Sequence, residues 1–146
     1  MLQVQFPEHD FRTRPTNGGT EIFDTIRKKW ILLTPEEWVR QNMIHWLHEV
    51  HKVPIALIAV ERLLIVGESR RRFDIVVYTK QHTPWLLVEC KSMDVQLNEA
   101  VLQQALSYYS AMPTALLMVT NGHHTYAWQQ SNFQLEMLQT LPVFPA

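Results

Sequence analysis

Three carboxylates interrupt apolar, strand-like segments of this sequence, where acidic residues are uncommon. Asp74 lies within RFDIVVY, Glu89 within WLLVECKS and Glu61 within IALIAVERLLIV. Because Asp and Glu are rarely buried without a partner, packing alone does not account for them. These three positions are therefore the first candidates for chemistry.

Glu89 and Lys91 are two residues apart, so the period of a strand places both side chains on one face and Cys90 on the other. If the segments around Asp74 and Glu89 pair through the short loop between them, the two carboxylates lie side by side. Adjacent carboxylates repel unless a cation or a proton lies between them. Mg²⁺ binds a few carboxylate oxygens, water and substrate phosphate, and a nearby lysine can orient or help to deprotonate an attacking water. This is the chemistry of phosphodiester hydrolysis.

A capped helix precedes these segments. Thr34 is a good N-cap, Pro35 suits the first helical position, and Glu37 completes a capping box. The helix is predicted to extend to about His51, before Pro54. Its buried stripe is predicted to comprise Val39, Met43, Leu47 and Val50.

Three short runs rich in Ile, Val and Leu follow at 55–66, 72–79 and 84–92, joined by hairpin-length loops. A second helix, QLNEAVLQQALSYYSAM, ends at Pro113, and the strand TALLMVT leads into a β-rich tail, HTYAWQQ and FQLEML. This order predicts an α/β fold with a mixed central sheet of about four to six strands flanked by helices. Residues 1–33 are predicted to form an irregular arm, in which IRKKWILL is a short strand or a turn of helix, and residues 34–146 a single domain.

Length and composition favour one compact domain. The chain has 146 residues, 47% hydrophobic and 18% charged, and a net charge of -1 from 13 basic and 14 acidic residues. This balance argues against binding nucleic acid or lipid through bulk charge. The single cysteine excludes an internal disulfide, and the opening residues lack the features of a secretory signal. Since no apolar run approaches the roughly 20 residues of a membrane span, we expect a cytoplasmic protein without a membrane segment.

Several motifs together resemble a known family. FDIVVY followed by VECKS resembles the D-x(n)-E-x-K core of the PD-(D/E)xK nuclease superfamily, which has the restriction-endonuclease-like fold. More narrowly, TPEEWVRQ, RRFDIVVY, LLVECKS, LQQALSYY and VTNG are similar to the N-terminal nuclease domain of type I restriction enzyme R subunits, in its short stand-alone form. The similarity covers about residues 20–128. The family's proline before the aspartate is Phe73 here.

The resemblance implies a DNA nuclease that uses Mg²⁺ or Mn²⁺. Asp74 and Glu89 would bind the metal, the main-chain carbonyl of Cys90 could add a ligand, and Lys91 would act on the water. DNA is the implied partner, and other protein subunits or a second copy of the chain are further candidates.

The family also implies a helical glutamate near the metal and a Q-x-x-x-Y motif on the next helix. Glu36 and Glu37 compete for the first role, and we choose Glu36, because it shares the buried stripe while Glu37 is occupied by the capping box. The second motif matches Gln104 and Tyr108, which fall on a predicted stripe with Leu97 and Val101.

Structural interpretations compete with each of these roles. Asp74, Glu89 and Lys91 could form an ion-pair network, Glu36 could pair with Arg40, and Gln104 with Tyr108 could form a polar bridge under the sheet. Glu61 could pair with Arg72 or another neighbour, or line the site.

The run Arg70, Arg71 and Arg72 is either a solvated hairpin or a set of phosphate contacts beside Asp74. For the whole chain, the rival to a nuclease is a non-catalytic nucleic-acid-binding or assembly module with the same fold. The complete Asp74, Glu89 and Lys91 triad favours the enzyme.

Overall fold

Two sheets and two α-helices form the described part of the chain. The structure, a computed structural model, describes residues 1–109, 115–131 and 134–146, and it describes Val66, Tyr108 and Tyr109 by their backbone alone. The strands are β1 (Thr13–Thr16), β2 (Gly19–Asp24), β3 (Lys29–Leu32), β4 (Ile58–Val66), β5 (Ser69–Tyr78), β6 (Pro84–Cys90), β7 (Leu116–Thr120), β8 (Thr125–Ser131) and β9 (Gln134–Met137). The helices are α1 (Pro35–Glu49) and α2 (Glu99–Tyr109), and a 3-10 turn occupies Ile55–Leu57.

Residues 13–32 form a small antiparallel sheet, so the predicted irregular arm is wrong for this segment. The strands follow in the order β1-β2-β3, and the ambiguous IRKKWILL segment contains β3. Pro15 misled the prediction because it lies in the outer strand β1, where a missing N–H donor is tolerated. On β2, Ile22 and Asp24 are buried two residues apart, which is the alternation of a half-buried strand.

The main sheet has six strands in the order β4-β5-β6-β7-β8-β9. Strands β6 and β7 are parallel, and every other neighbouring pair is antiparallel. The parallel pair is connected through α2, because parallel neighbours need a crossover and cannot be joined by a tight turn. The predicted mixed sheet and the order of its elements are confirmed.

Helix α1 packs on one face of this sheet. Thr34 caps it by accepting a hydrogen bond from the Glu37 N–H at 3.0 Å. Val39, Met43 and Leu47 are fully buried, in one core cluster with the sheet residues Ile75, Val77, Leu86 and Val88. The fourth predicted stripe residue, Val50, is exposed, because the helix ends at Glu49 and Val50 is its C-cap.

Helix α2 belongs to the opposite face. Asn98 caps it by accepting a hydrogen bond from the Val101 N–H at 3.0 Å. Leu102, Ala105 and Leu106 pack against a second core cluster that contains Val76, Leu87 and Leu117. The predicted end of this helix, at Met112 and Pro113, lies outside the described residues. Within the described part of the chain, neither helix is long and apolar enough to cross a bilayer.

Candidate active site

The candidate site lies where β5 separates from β6. The last pair that these strands form is Ile75 opposite Val88. One residue beyond it, the Asp74 Oδ2 atom accepts a hydrogen bond from the Cys90 N–H at 2.7 Å. The carboxylate therefore takes the place of a backbone carbonyl in the sheet and is held at the end of β6.

Glu61 lies on the other side of Asp74, on strand β4. The pairing of β4 with β5 passes from Val60–Ile75 to Arg62–Phe73 and omits Glu61 and Asp74. Glu61 has a φ of 52°, in the left-handed region that bulky L-residues rarely adopt. Such strain is often found at functional sites.

Glu89 is the most strongly perturbed acid of this group. Burial and the nearby charge of Asp74 raise the pKa of Glu89 to about 7, although Arg71 and Lys91 act in the opposite direction. Its Oε2 atom lies 3.8 Å from the Arg71 guanidinium, whereas its buried Oε1 atom has no hydrogen-bond partner among the described residues. One buried carboxylate oxygen is therefore available to a ligand.

Asp74 and Glu36 show related shifts. Burial raises the pKa of Asp74, and the charge of Glu61 adds to the shift, while the hydrogen bond from Cys90 and the charges of Arg40 and Lys91 oppose it. Glu36 lies at the surface, and partial burial of its carboxylate together with the charge of Asp74 raises its pKa. Burial is thus the largest cause of the raised pKa of both acids.

Arg40 is the buried cation beside these acids, and it is the residue that sequence reasoning missed as part of the site. Its Nη1 atom lies 3.4 Å from Glu61 and 3.9 Å from Asp74, and its Nε atom lies 3.2 Å from Glu37. Within the described residues neither nitrogen has a hydrogen-bond partner. The sequence feature that could have identified Arg40 was its position on α1, directly after the buried Val39 and four residues after Glu36, which places it near that glutamate on the helix. The competing prediction that Arg40 pairs with Glu36 is wrong in detail, because its close ion pair on α1 is with Glu37.

A second arginine connects the site to the small sheet. The Arg27 guanidinium bonds Asp24 at 2.7 Å and Glu37 at 2.9 Å, and lies 3.7 Å from Glu61. Burial alone would raise the pKa of Asp24, but hydrogen bonds from Arg27 and Gln41 hold it below its usual value. Glu61 thus pairs with Arg27 and Arg40 rather than with Arg72.

Gln104 and Tyr108 are the site residues predicted on α2. The Gln104 side chain is exposed, and the helix buries Leu102, Ala105 and Leu106 instead of the predicted stripe through Val101 and Gln104. The predicted stripe is wrong at Gln104, because the larger Leu side chains define the face that packs against the sheet, whereas Leu97 of the same stripe does pack against the second core cluster. The Tyr108 side chain lies outside what the structure describes.

The three arginines of the predicted DNA contact divide between the two faces of the β4–β5 hairpin. Arg72 pairs with Leu63 and Arg70 with Ile65, so these four side chains share one face. The Arg71 side chain projects from the opposite face of the hairpin and lies near Glu89. Arg70 and Arg72 are exposed.

The donor set fits a hard divalent cation. Among the residues that the structure describes, no three His, Cys, Asp or Glu side chains converge enough to hold a metal ion without other ligands. Mg²⁺ does not require such a cage, since it usually binds through one or two carboxylates and keeps waters and substrate phosphates. Asp74 and Glu89 would supply those carboxylates, and burial is the largest cause of their raised pKa values, because it disfavours the charged form that a bound cation would stabilise.

The fold and the site define an α/β protein with a mixed six-stranded sheet, in which Asp74 and Glu89 lie where β5 and β6 separate and the charge of Lys91 acts on both. The family described as "Type I restriction enzyme R protein N terminus" matches residues 35–142. The chain belongs to this family.

Among solved structures, the chain is similar to a candidate nuclease belonging to DUF820 from Anabaena variabilis ATCC 29413. The two share 14% sequence identity with a TM-score of 0.46, over 86% of this chain and 79% of the other. No curated protein matches the sequence.

Proposed function

We propose that this chain is a metal-dependent nuclease domain of the PD-(D/E)xK type that hydrolyses DNA phosphodiester bonds. The observation that carries the proposal is that Asp74 and Glu89 lie where β5 and β6 separate, with the charge of Lys91 acting on both and a pKa of about 7 at Glu89. Membership of a restriction-enzyme family supports the same function.

Each residue has a distinct role in this proposal. Asp74 and Glu89 hold Mg²⁺ or Mn²⁺, and the Cys90 carbonyl is a further candidate ligand. When bound, the metal supplies Lewis-acid stabilisation of the phosphate charge and lowers the pKa of water. Lys91 orients the attacking water and stabilises negative charge on the phosphate. Glu36 assists at the edge of the site, where its raised pKa makes its carboxylate a stronger base than that of an ordinary glutamate.

Arg40 is a positioning residue in this arrangement. Its guanidinium lies between Asp74 and Glu61 and limits the repulsion between them before a cation binds. Gln104 and Tyr108, on the helix that follows, remain candidates for positioning substrate or water.

Calorimetric titration with Mg²⁺ and Mn²⁺ tests the metal site directly. Wild type should bind, whereas Asp74→Asn should lose most of the affinity, because the remaining carboxylate lacks its partner. Asp10→Asn is the matched control, since Asp10 is an exposed acid of the N-terminal segment. Equal and negligible binding by wild type and Asp74→Asn would refute the metal site.

Cleavage assays separate metal binding from catalysis. Lys91→Ala should bind metal like wild type but cut a panel of DNA forms far more slowly, while the exposed-lysine control Lys80→Ala should cut normally. Undiminished cutting by Lys91→Ala would remove Lys91 from the mechanism. Metal binding and DNA binding without any cutting would instead favour a non-catalytic binding module.

A further inference from the structure

The β4–β5 hairpin extends past the rest of the main sheet. Strand β5 pairs with β6 only as far as Ile75, whereas its pairing with β4 skips Asp74 and then continues from Phe73 to Ser69. The ribbon closes at Gly67 and Glu68, where Gly67 has a φ of 59°. A glycine at the first central position fits a two-residue type II′ turn, which continues the twist of the ribbon. The hairpin is therefore a two-stranded ribbon that begins at the candidate site.

One face of this ribbon contributes to the second core cluster, and the other is open. Phe73 and Leu64 pack into that cluster. On the open face, Leu63 is 37% exposed and Ile65 is 62% exposed, and the exposed Arg72 and Arg70 are their direct cross-strand partners. We call these four residues the ribbon face.

The ribbon face is continuous with the candidate site. Arg72 and Arg70 alternate along β5 and project to the same side of the ribbon, and Asp74 follows two residues after Arg72, at the point where the ribbon joins the main sheet. With a rise of about 3.3 Å per residue, the two arginines begin about 7 Å and about 13 Å along the strand from Asp74. Two positive charges thus lead away from the site where the phosphate would react.

This inference rests on the proposed function. We propose that the ribbon face binds the major groove of duplex DNA, with Arg70 and Arg72 on backbone phosphates beside the reacting one and Leu63 and Ile65 against base edges. The major groove admits a two-stranded β-ribbon, and apolar side chains contact the thymine methyl group there. The arginines provide charge complementarity that the nearly neutral chain otherwise lacks. The substrate class is therefore duplex DNA rather than single strands or duplex RNA, whose major groove is too deep and narrow.

Fluorescence anisotropy in EDTA tests this proposal without any cleavage. The salt dependence of binding to a short labelled DNA duplex should weaken by about one unit of slope for each phosphate contact removed, hence by about two for Arg70→Gln with Arg72→Gln. The matched control is Lys52→Gln with Lys80→Gln, which removes the same charge from exposed positions outside the ribbon. An unchanged slope in the arginine double variant would overturn the proposal.

The apolar half of the ribbon face requires a second pair of variants. Leu63→Gln with Ile65→Gln should lower duplex affinity at least about tenfold, which corresponds to about 1.4 kcal/mol, without changing the salt slope. Single-stranded DNA and duplex RNA should bind wild type more weakly than duplex DNA. If either binds as tightly, the assignment to the major groove of DNA is wrong.

A second copy of the chain is the competing occupant of the ribbon face. Light scattering of wild type and the Leu63→Gln, Ile65→Gln variant distinguishes it. A wild-type dimer that the variant abolishes while duplex affinity stays unchanged would overturn the proposal.

The binding assay and the cleavage assay test the ribbon proposal and the nuclease proposal separately. Duplex binding through the ribbon without cutting contradicts the nuclease, whereas cutting with ribbon-independent binding contradicts the ribbon.

Discussion

At the scale of single residues, the site is defined by acidic side chains whose burial disfavours their charged forms. Glu89 has one buried oxygen without a hydrogen bond in the described structure, and its nearest cation, Arg71, lies 3.8 Å away. Arg40 contributes a buried positive charge near Asp74, at an ion-pair distance without hydrogen-bond geometry. Because burial disfavours the charged carboxylates, the site responds to a change of protonation or to an added cation.

Glu89→Gln should stabilise the protein at neutral pH and above. The folded state holds the Glu89 proton to about pH 7, whereas a carboxyl group with the ordinary value of 4.5 loses it earlier. The folded state therefore binds more protons between these values, and the contribution of Glu89 to stability falls as pH rises through this range, by about 3 kcal/mol in total. Glutamine does not titrate, so the free energy of unfolding of the variant should rise relative to that of wild type by about 3 kcal/mol between pH 4.5 and 8.

Urea unfolding at pH 5 and pH 8, in EDTA, measures this difference. Glu68→Gln is the control, because Glu68 is an exposed acid of the hairpin turn. A stability difference between Glu89→Gln and wild type that is the same at both pH values would contradict the raised pKa.

At the scale of elements, helix α1 connects the small sheet to the site. Asp24 of β2 accepts hydrogen bonds from Arg27 and from Gln41 of α1, and Glu37 of α1 accepts from Arg27 and Gln41. Arg40 lies one residue before Gln41 on the same helix. The position of the helix, and with it of Arg40, therefore depends on this polar network.

Asp24→Asn should destabilise the fold by about 3 kcal/mol, because it removes the buried charge that accepts hydrogen bonds from Arg27 and Gln41. Asp24 is fully buried, and the side chain of Arg27 is only 15% exposed. Arg14→Gln in the same sheet is the control, because the exposed Arg14–Glu21 pair should contribute less than about 1 kcal/mol. Chemical denaturation measures the free energy of unfolding of both variants. Equal losses would show that the buried network stabilises the fold no more than the exposed Arg14–Glu21 pair.

The contact between Arg40 and Glu61 could not be predicted from the sequence. Helix α1 and strands β4 to β9 were predicted, because caps, turn residues and hydrophobic periodicity are local signals. Asp74 and Glu89 were placed together because one short loop joins their strands. In contrast, the contact of Arg40 with Glu61 joins a helix to a strained strand residue, and no local pattern specifies such a contact.

The small sheet was missed for a related reason. Strands β1 and β3 have four residues each and are mostly exposed, so neither shows a usable hydrophobic alternation. Their formation depends on β2, whose Ile22 and Asp24 are buried against the rest of the protein. The role of Asp24 as a buried charge could only be seen once α1 was in place.

At the scale of the whole molecule, the N-terminal segment is part of the folded unit. Leu2 is buried in the first core cluster, and its N–H donates to the Thr125 carbonyl at 2.9 Å. Val4 and Phe6 pack against the same cluster. The core under α1 is therefore completed by residues far from it in sequence.

Deletion of residues 1–33 should abolish cooperative unfolding, because it exposes this cluster and leaves Glu37 without Arg27. Thermal melting followed by circular dichroism is the measurement. Removal of the exposed Pro145 and Ala146 is the control and should leave the melting curve unchanged. A truncated chain that melts like wild type would show that residues 34–146 fold independently.

The mixed character of the main sheet has a consequence for how the site assembles. Asp74 reaches the Cys90 N–H across a hairpin, a separation of 16 residues. The Lys91 N–H instead bonds the Thr120 carbonyl, on the parallel neighbour β7 that α2 must first connect. Because contacts that close longer loops form more slowly, we expect the two acids to meet early in folding. Lys91 then becomes ordered last, so a partly folded chain would hold the acids together before its lysine is in place.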